Sequence, residues 1–174
     1  MLAFTDPQRS GDLLALAASL PRGSALVYRA FGAPDRLETA WRLRRVTWRR
    51  GVLLIVGADA DLARAVRADG LHVPERRAAD LPRLRAFRLL TVAAHSPRAA
   101  ARGLSLGADA VVISPVFESR SPSAGHTLGV LRAAQWVRGA KGAVYGLGGI
   151  DGKNAARAAA TGLAGLAGVE AFRP

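Results

Sequence analysis

Two adjacent glycines, Gly148 and Gly149, close a short apolar run at 143–147 and lead through Ile150 and Asp151 into Ala- and Arg-rich, helix-forming sequence. Without side chains, paired glycines reach backbone angles closed to other residues and let amide hydrogens come close to a ligand. Asp151 is a good N-cap residue, so the positive end of the next helix is expected beside them. Such an arrangement seats an anion, most often phosphate; the competing reading is an ordinary tight strand-to-helix turn. Arg29, after the apolar run at 24–28, and Arg120, in a Gly/Ser/Pro-rich loop, add guanidinium groups that grip phosphate oxygens two at a time and stay charged at any relevant pH. Ser119 and Ser121 flank Arg120 with hydroxyls, although Ser and Pro also crowd loops for backbone reasons alone. His95, in Ala94-His95-Ser96, either shuttles protons near neutral pH or hydrogen-bonds a neighbouring loop and caps the next helix. The other histidines, His72 and His126, are placed so that neither a Ser-His-Asp triad nor a metal-ligand spacing can be assembled, and no metal ligand is assigned.

The elements that must position these residues follow from composition and period. At 174 residues and 50% hydrophobic content, the chain fits one domain, 1–174, with a full core. It has no cysteine, which removes disulfides and thiolate metal sites and makes a reducing cytoplasm the expected compartment. Residues 1–7 carry no basic leader pattern and no apolar run approaches the ~20 residues of a membrane span, so a soluble, unexported protein is expected. The net charge is +12, and of the 25 basic residues only Lys141 and Lys153 are lysines. That field favours anionic ligands. Nucleic acid is nevertheless not expected as a partner, because no RNP, finger or basic-zipper pattern accompanies the charge. The densest stretch, 36–50, sets Arg42, Arg45 and Arg49 on one helical face and Leu37, Ala40, Trp41 and Trp48 on the other, so the tryptophan face is expected to pack on the core.

Short apolar runs at 2–5, 24–28, 52–56, 70–73, 88–93, 110–114, 143–147 and 163–169 alternate with helical stretches at 11–19, 34–50, 59–67, 80–87, 96–106, 128–138 and 152–161. Each parallel crossover requires a connection of that kind, and eight such units predict a closed (β/α)8 TIM barrel. A small or turn-forming cluster recurs ahead of the strands at 70, 110 and 163, as expected of a barrel built from like units. The barrel is compact beside the ~250 residues typical of its class, with its last outer helix expected to be missing or truncated. Ligands in such barrels sit at the C-terminal strand ends, with phosphate at the loops after strands seven and eight. Gly148 and Gly149 end the seventh run, and His95 ends the fifth, on the same rim.

Ser114-Pro-Val-Phe-Glu-Ser-Arg-Ser-Pro-Ser-Ala-Gly125, followed by Leu128-Gly129 and Gly148-Gly-Ile-Asp151, resembles the thiamine-phosphate synthase and thiazole tautomerase superfamily. Leu2-Ala-Phe-Thr-Asp6, Ala68-Asp-Gly-Leu-His-Val73 and Val92-Ala-Ala-His-Ser96 are similar to its first, fourth and fifth strands, so the likeness covers essentially the whole chain in order. It implies a role in thiamine metabolism, in which a synthase joins a pyrimidine methyl pyrophosphate to a thiazole phosphate while Mg2+ draws off pyrophosphate. Carried over residue by residue, the family's apparatus is thinned. Arg29 remains of a Gln-x-Arg-x-Lys motif. Gly57 and Arg77 stand at the two metal-carboxylate positions, so Mg2+, expected for the family, is not expected to be held and no cofactor is assigned. Ala93 replaces a serine, and Ser119-Arg120-Ser121-Pro122 replaces a Thr-x-Thr-Lys loop. Pro115 stands where the tautomerase branch has a histidine. Glu170 occupies the position of a serine that helps hold phosphate.

The resemblance therefore implies a divergent member binding a phosphorylated thiazole or pyrimidine at the barrel mouth. If active, it would be a synthase-type transferase or a metal-independent tautomerase-like isomerase. The alternatives are a retooled or non-catalytic phosphate-ligand barrel and a basic nucleic-acid or protein interaction module. The sequence leaves room for a homo-oligomer.

Overall fold

The computed structural model describes residues 1–119 and 126–169. Its strands are β1 (Leu2–Phe4), β2 (Ala25–Tyr28), β3 (Leu53–Gly57), β4 (Gly70–Val73), β5 (Leu90–Ala94), β6 (Ala110–Ile113), β7 (Ala143–Gly146) and β8 (Gly165–Gly168). Between them lie α1 (Leu13–Ser19), α2 (Arg36–Arg50), α3 (Ala60–Ala65), a 3-10 helix (Glu75–Leu84), α4 (Pro97–Ser105), α5 (Gly129–Gly139) and α6 (Ala155–Ala159). Every strand pairs in parallel with its sequence neighbours, and β1 pairs with β8, so the sheet closes into the expected (β/α)8 barrel. No helix among the described residues is long and apolar enough to cross a membrane. Whatever follows β8 at 170–174 lies outside the described residues.

The strand runs are apolar throughout because both faces are covered, yet the period of two persists beneath them. Phe4, Val27, Ile55 and Val112 fill the barrel interior, while their neighbours Ala3, Leu26, Leu54 and Val111 face outward to meet Leu16, Leu43 and Leu62 of the helices. The recurring helix-to-strand junction has a mechanism. Asp69, just before β4, receives the Leu54 amide of β3 on Oδ2 at 2.8 Å and returns its own amide to Leu54 O at 2.8 Å. Asp109, just before β6, does the same to Leu90 of β5 at 2.7 and 2.8 Å. Ahead of β8 only the backbone half survives, from the Ala164 amide to Val144 O at 2.8 Å.

Helix ends follow their caps. The first helical stretch starts at Leu13 rather than at 11, because Gly11 has φ +59 and the Asp12 carboxylate takes the Leu14 and Ala15 amides. Asp59 caps α3 through the Leu62 amide, and Ser96 caps α4 through the Ala99 amide. The stretch expected as a helix at 80–87 is a 3-10 helix displaced to Glu75–Leu84, with Pro82 inside it unable to donate an amide.

Ala40 of α2 is buried as expected, but the rest of the face expected to pack on the core is corrected. Its core contacts are Ala40, Leu43 and Thr47, each fully buried, whereas Leu37, Trp41 and Trp48 are 49%, 43% and 72% exposed. The 40, 43, 47 spacing makes one seam, and the tryptophan ridge falls about a quarter-turn away from it. Arg44 holds the ridge there: its Nη1 pairs with Asp69 Oδ2 at 2.6 Å while its guanidinium lies 5.1 Å from the Trp48 ring centroid. The Trp48 ring therefore covers a guanidinium instead of entering the core.

Candidate functional site

Three cavities with shared walls run across the C-terminal mouth. The first, about 350 Å3, lies over Gly148 and Gly149 and is walled by Arg9, Ser119, Asp151 and Gly168. The second, about 180 Å3, is the barrel mouth itself, floored by Phe4 and His72 and edged by Arg29, Ser114 and Pro115. The third, about 620 Å3, opens between the 3-10 helix and α4 and shares His95 with the mouth.

Gly148 and Gly149 have φ of +97 and +64, so both hold the left-handed backbone that favours glycine. Their close approach is also to protein. A Cβ on Gly148 would come within 2.8 Å of Pro115 Cα, and one on Gly149 would collide with Glu118 O. The segment after β6 is laced to this turn by the Val116 amide on Leu147 O at 2.9 Å and the Phe117 amide on Gly148 O at 3.0 Å. The glycines thus serve loop packing and an open cavity together. The expected helix N-terminus is absent from the seat, because α6 begins only at Ala155. Asp151 Oδ1 takes the Lys153 and Asn154 amides at 2.9 and 3.1 Å, and Asn154 Nδ2 returns to Gly149 O at 2.8 Å. An anion here would meet loop amides, the Ser119 side chain and Arg9, with the Glu118 and Asp151 carboxylates as opposing charge.

Arg29 stands at the mouth, anchored by Nε to Thr5 O at 2.6 Å and by Nη2 to Asp6 at 3.4 Å, and lying 5.7 Å from the Phe4 ring centroid. Burial lowers its pKa and the Asp6 carboxylate opposes that shift, so it remains a cation. Asp6 is held below the usual carboxylate range, chiefly by its hydrogen bond from Arg9. Tyr28, beside Arg29 in sequence, packs in the outer core instead, and burial raises its pKa. His72 is buried, edge-on to Phe4, with Nδ1 2.9 Å from Thr91 Oγ1; burial foremost, then the Arg29 charge, brings its pKa down to about 3. At neutral pH it is an uncharged floor.

His95 is joined to a neighbouring loop. Glu75 Oε2 receives the His95 amide at 2.6 Å and lies 2.8 Å from Nδ1, a geometry that puts the neutral ring's proton on Nδ1 and leaves Nε2 as an acceptor. Capping of α4 falls to Ser96. Arg120, Ser121 and Glu170 lie outside the described residues.

The residues at the two implied metal positions do not fit magnesium. A Cβ on Gly57 would touch Arg29 Cγ at 3.0 Å, so the glycine makes room for the arginine. Arg77 donates from Nη1 to Ala58 O at 3.0 Å and from Nε to Asp80 at 2.8 Å, placing a guanidinium at the end of β3. Asp59 is spent on its cap and Asp61 on Arg64. Among the described residues no group of three or more His, Cys, Asp or Glu could hold an ion.

Sequence reasoning passed over Asp6 and Arg9 and the pairing of Glu75 with His95, whereas His72, expected within the fourth strand and packed or facing the interior, is found there. Asp6 and Arg9 follow β1 directly, so the barrel topology alone put them on the rim. The Glu75 partnership had no local signal.

Comparisons with known proteins converge. A family model described as thiamine monophosphate synthase matches residues 2–172. A thiamine-phosphate synthase of Chloroflexus aurantiacus is 36% identical over 124 residues, covering 66% of this chain and 56% of that protein. One from Gloeobacter violaceus is 39% identical over 111 residues, covering 59% of this chain and 31% of that protein. The chain thus spans about half or less of these relatives' length. The solved structure of a thiamine phosphate pyrophosphorylase from Pyrococcus furiosus superposes with a TM-score of 0.81 over 95% of this chain and 83% of that one, at 24% identity.

Proposed function

Because the chain belongs to the thiamine-phosphate synthase family, we propose that it is a divergent member that binds a phosphorylated thiazole or pyrimidine across the barrel mouth without a magnesium ion. The observation that carries this reading is the continuity of the Gly148–Gly149 cavity with the mouth: they share Arg9, Ser119, Leu147, Gly148 and Val169. A phosphate over the glycines would leave an attached ring above Phe4 and His72, beside Arg29. Loop amides and guanidinium groups supply charge-assisted donors to the phosphate oxygens. The neutral His72 and the Phe4 ring suit an aromatic heterocycle, which stacks or meets an edge at little desolvation cost.

Coupling of pyrimidine pyrophosphate to thiazole phosphate is not the reaction these residues support. That step needs a metal held by carboxylates on the leaving group, and Gly57, Arg29 and Arg77 fill the corresponding space. Calorimetry with thiazole phosphate, thiamine phosphate and inorganic phosphate, each with and without Mg2+, tests the reading. Binding of an organic phosphate that exceeds that of inorganic phosphate and is indifferent to Mg2+ supports it. Failure of all three to bind, or a Mg2+-dependent coupling activity on the two family substrates, overturns it.

A further inference from the structure

The cavity of about 620 Å3 between the 3-10 helix and α4 is walled by side chains that the reading above does not use. Arg98 and Arg102 are four residues apart on α4, so their side chains rise from one face of that helix. Arg76 comes from the facing 3-10 helix. No ion pair among the described residues engages any of these three, and Glu75, the carboxylate in the same wall, is taken up by His95 through both its amide and Nδ1. The buried methyl of Ala78 and the half-buried Ala99 give the cavity an apolar wall. Three arginines lining one cavity, where the carboxylate of the lining already has a partner, beside an apolar surface, match an anion carrying an apolar body.

We propose that this cavity is a second anion site, separate from the Gly148–Gly149 seat, which takes the phosphate group of a small organic phosphate on Arg76, Arg98 and Arg102 with the organic portion against Ala78 and Ala99. His95 forms the wall between this cavity and the mouth. Glu75 holds the imidazole in place, so a molecule bound on either side contacts a fixed ring. The proposal does not depend on what the glycine seat binds, since the two cavities share no residue.

The test is a titration of the full chain, in chelator, with phenyl phosphate and with inorganic phosphate. It is followed by the imidazole resonances of His95, which lines both this cavity and the mouth, and of His72, which lines the mouth but not this cavity, so a His95 shift without a His72 shift marks binding here. Phenyl phosphate is expected to move the His95 resonance saturably and to bind more tightly than inorganic phosphate. Arg98→Ala/Arg102→Ala is expected to weaken that binding about tenfold or more, as loss of charge-assisted contacts does. Arg45→Ala/Arg49→Ala, the same change of charge on exposed positions of α2, is expected to leave it within about twofold, because screening confines exposed charges to roughly a Debye length. A thermal melt of each variant checks that it folds, and Arg98→Lys/Arg102→Lys retains part of the affinity if the melt excludes the alanine pair. A stationary His95 resonance overturns the proposal. So does equal weakening by the two arginine pairs, which would make the effect the general field of the +12 chain. Equal binding of the two phosphates removes the apolar wall from the site and overturns it likewise.

Discussion

Replacing Gly149 with alanine tests whether the turn after β7 is built as described. Three costs add. Gly149 has φ +64, where an L side chain costs roughly 1–2 kcal/mol. The new Cβ would collide with Glu118 O and stand 2.8 Å from Phe117 C and O, backbone atoms that cannot rotate aside. The two loops must part to admit it, straining the Phe117 amide bond to Gly148 O at 3.0 Å, a hydrogen bond worth about 1 kcal/mol net. The total is about 3 kcal/mol. For a chain of this length each kcal/mol lowers Tm by roughly 2–4 °C, so Gly149→Ala should melt about 6–12 °C below the parent in scanning calorimetry. Its affinity for thiazole phosphate should fall with it, because the cavity wall has moved. Gly152→Ala is the matched control: its Cβ meets nothing within 4 Å and its backbone lies outside the left-handed region. It should stay within about 1 °C, as exposed substitutions without special geometry do. A Gly149→Ala melt within about 2 °C of the parent would refute the account, since even the backbone term alone predicts more.

Other predictions concern the core and the floor of the mouth. His72 has its pKa lowered to about 3 against an ordinary 6.5, so the unfolded chain takes up a proton that the native state refuses. Stability from this group is complete above about pH 6.5 and falls as pH drops below it, by up to about 1.4 kcal/mol per pH unit. Urea unfolding of His72→Gln between about pH 6.5 and 4.5 should show a shallower slope than the parent, and an unchanged slope would contradict the assignment. Asp6 contributes in the same direction, but its lowered pKa places that loss below the ordinary carboxylate value of 3.8, outside the window. Asp109→Ala strips the Leu90 amide of its carboxylate and should cost about 1–3 kcal/mol in urea melts. Asp69→Ala should cost more, because Arg44 at 2.6 Å loses its partner as well. Leu43→Ala should cost about 2–5 kcal/mol and Trp48→Ala less than about 1, a ranking that reverses if the tryptophan face of α2 is the buried one.

The order and number of barrel units were legible in the sequence. A 3- to 5-residue apolar strand buried on both faces leaves an unmistakable run, and each needs a helix to return the chain in parallel. The left-handed glycines after β7 were legible too, since few other residues occupy that backbone. What tertiary structure decided was which side chain meets which. The 3.6-residue period shows that α2 has faces but does not say which one the barrel covers; Ala40, Leu43 and Thr47 are buried while Trp41 and Trp48 stay exposed, an orientation in which Arg44 reaches Asp69. Closure of the sheet sets the loops after β4 and β5 side by side, and only then does Glu75 reach His95 across 20 residues of sequence. The same closure lays Arg77 on the carbonyl of Ala58. Local pattern encodes the elements because backbone period is a local property. The mouth is assembled from loop ends drawn from the whole chain, and its partnerships exist only once the barrel has closed.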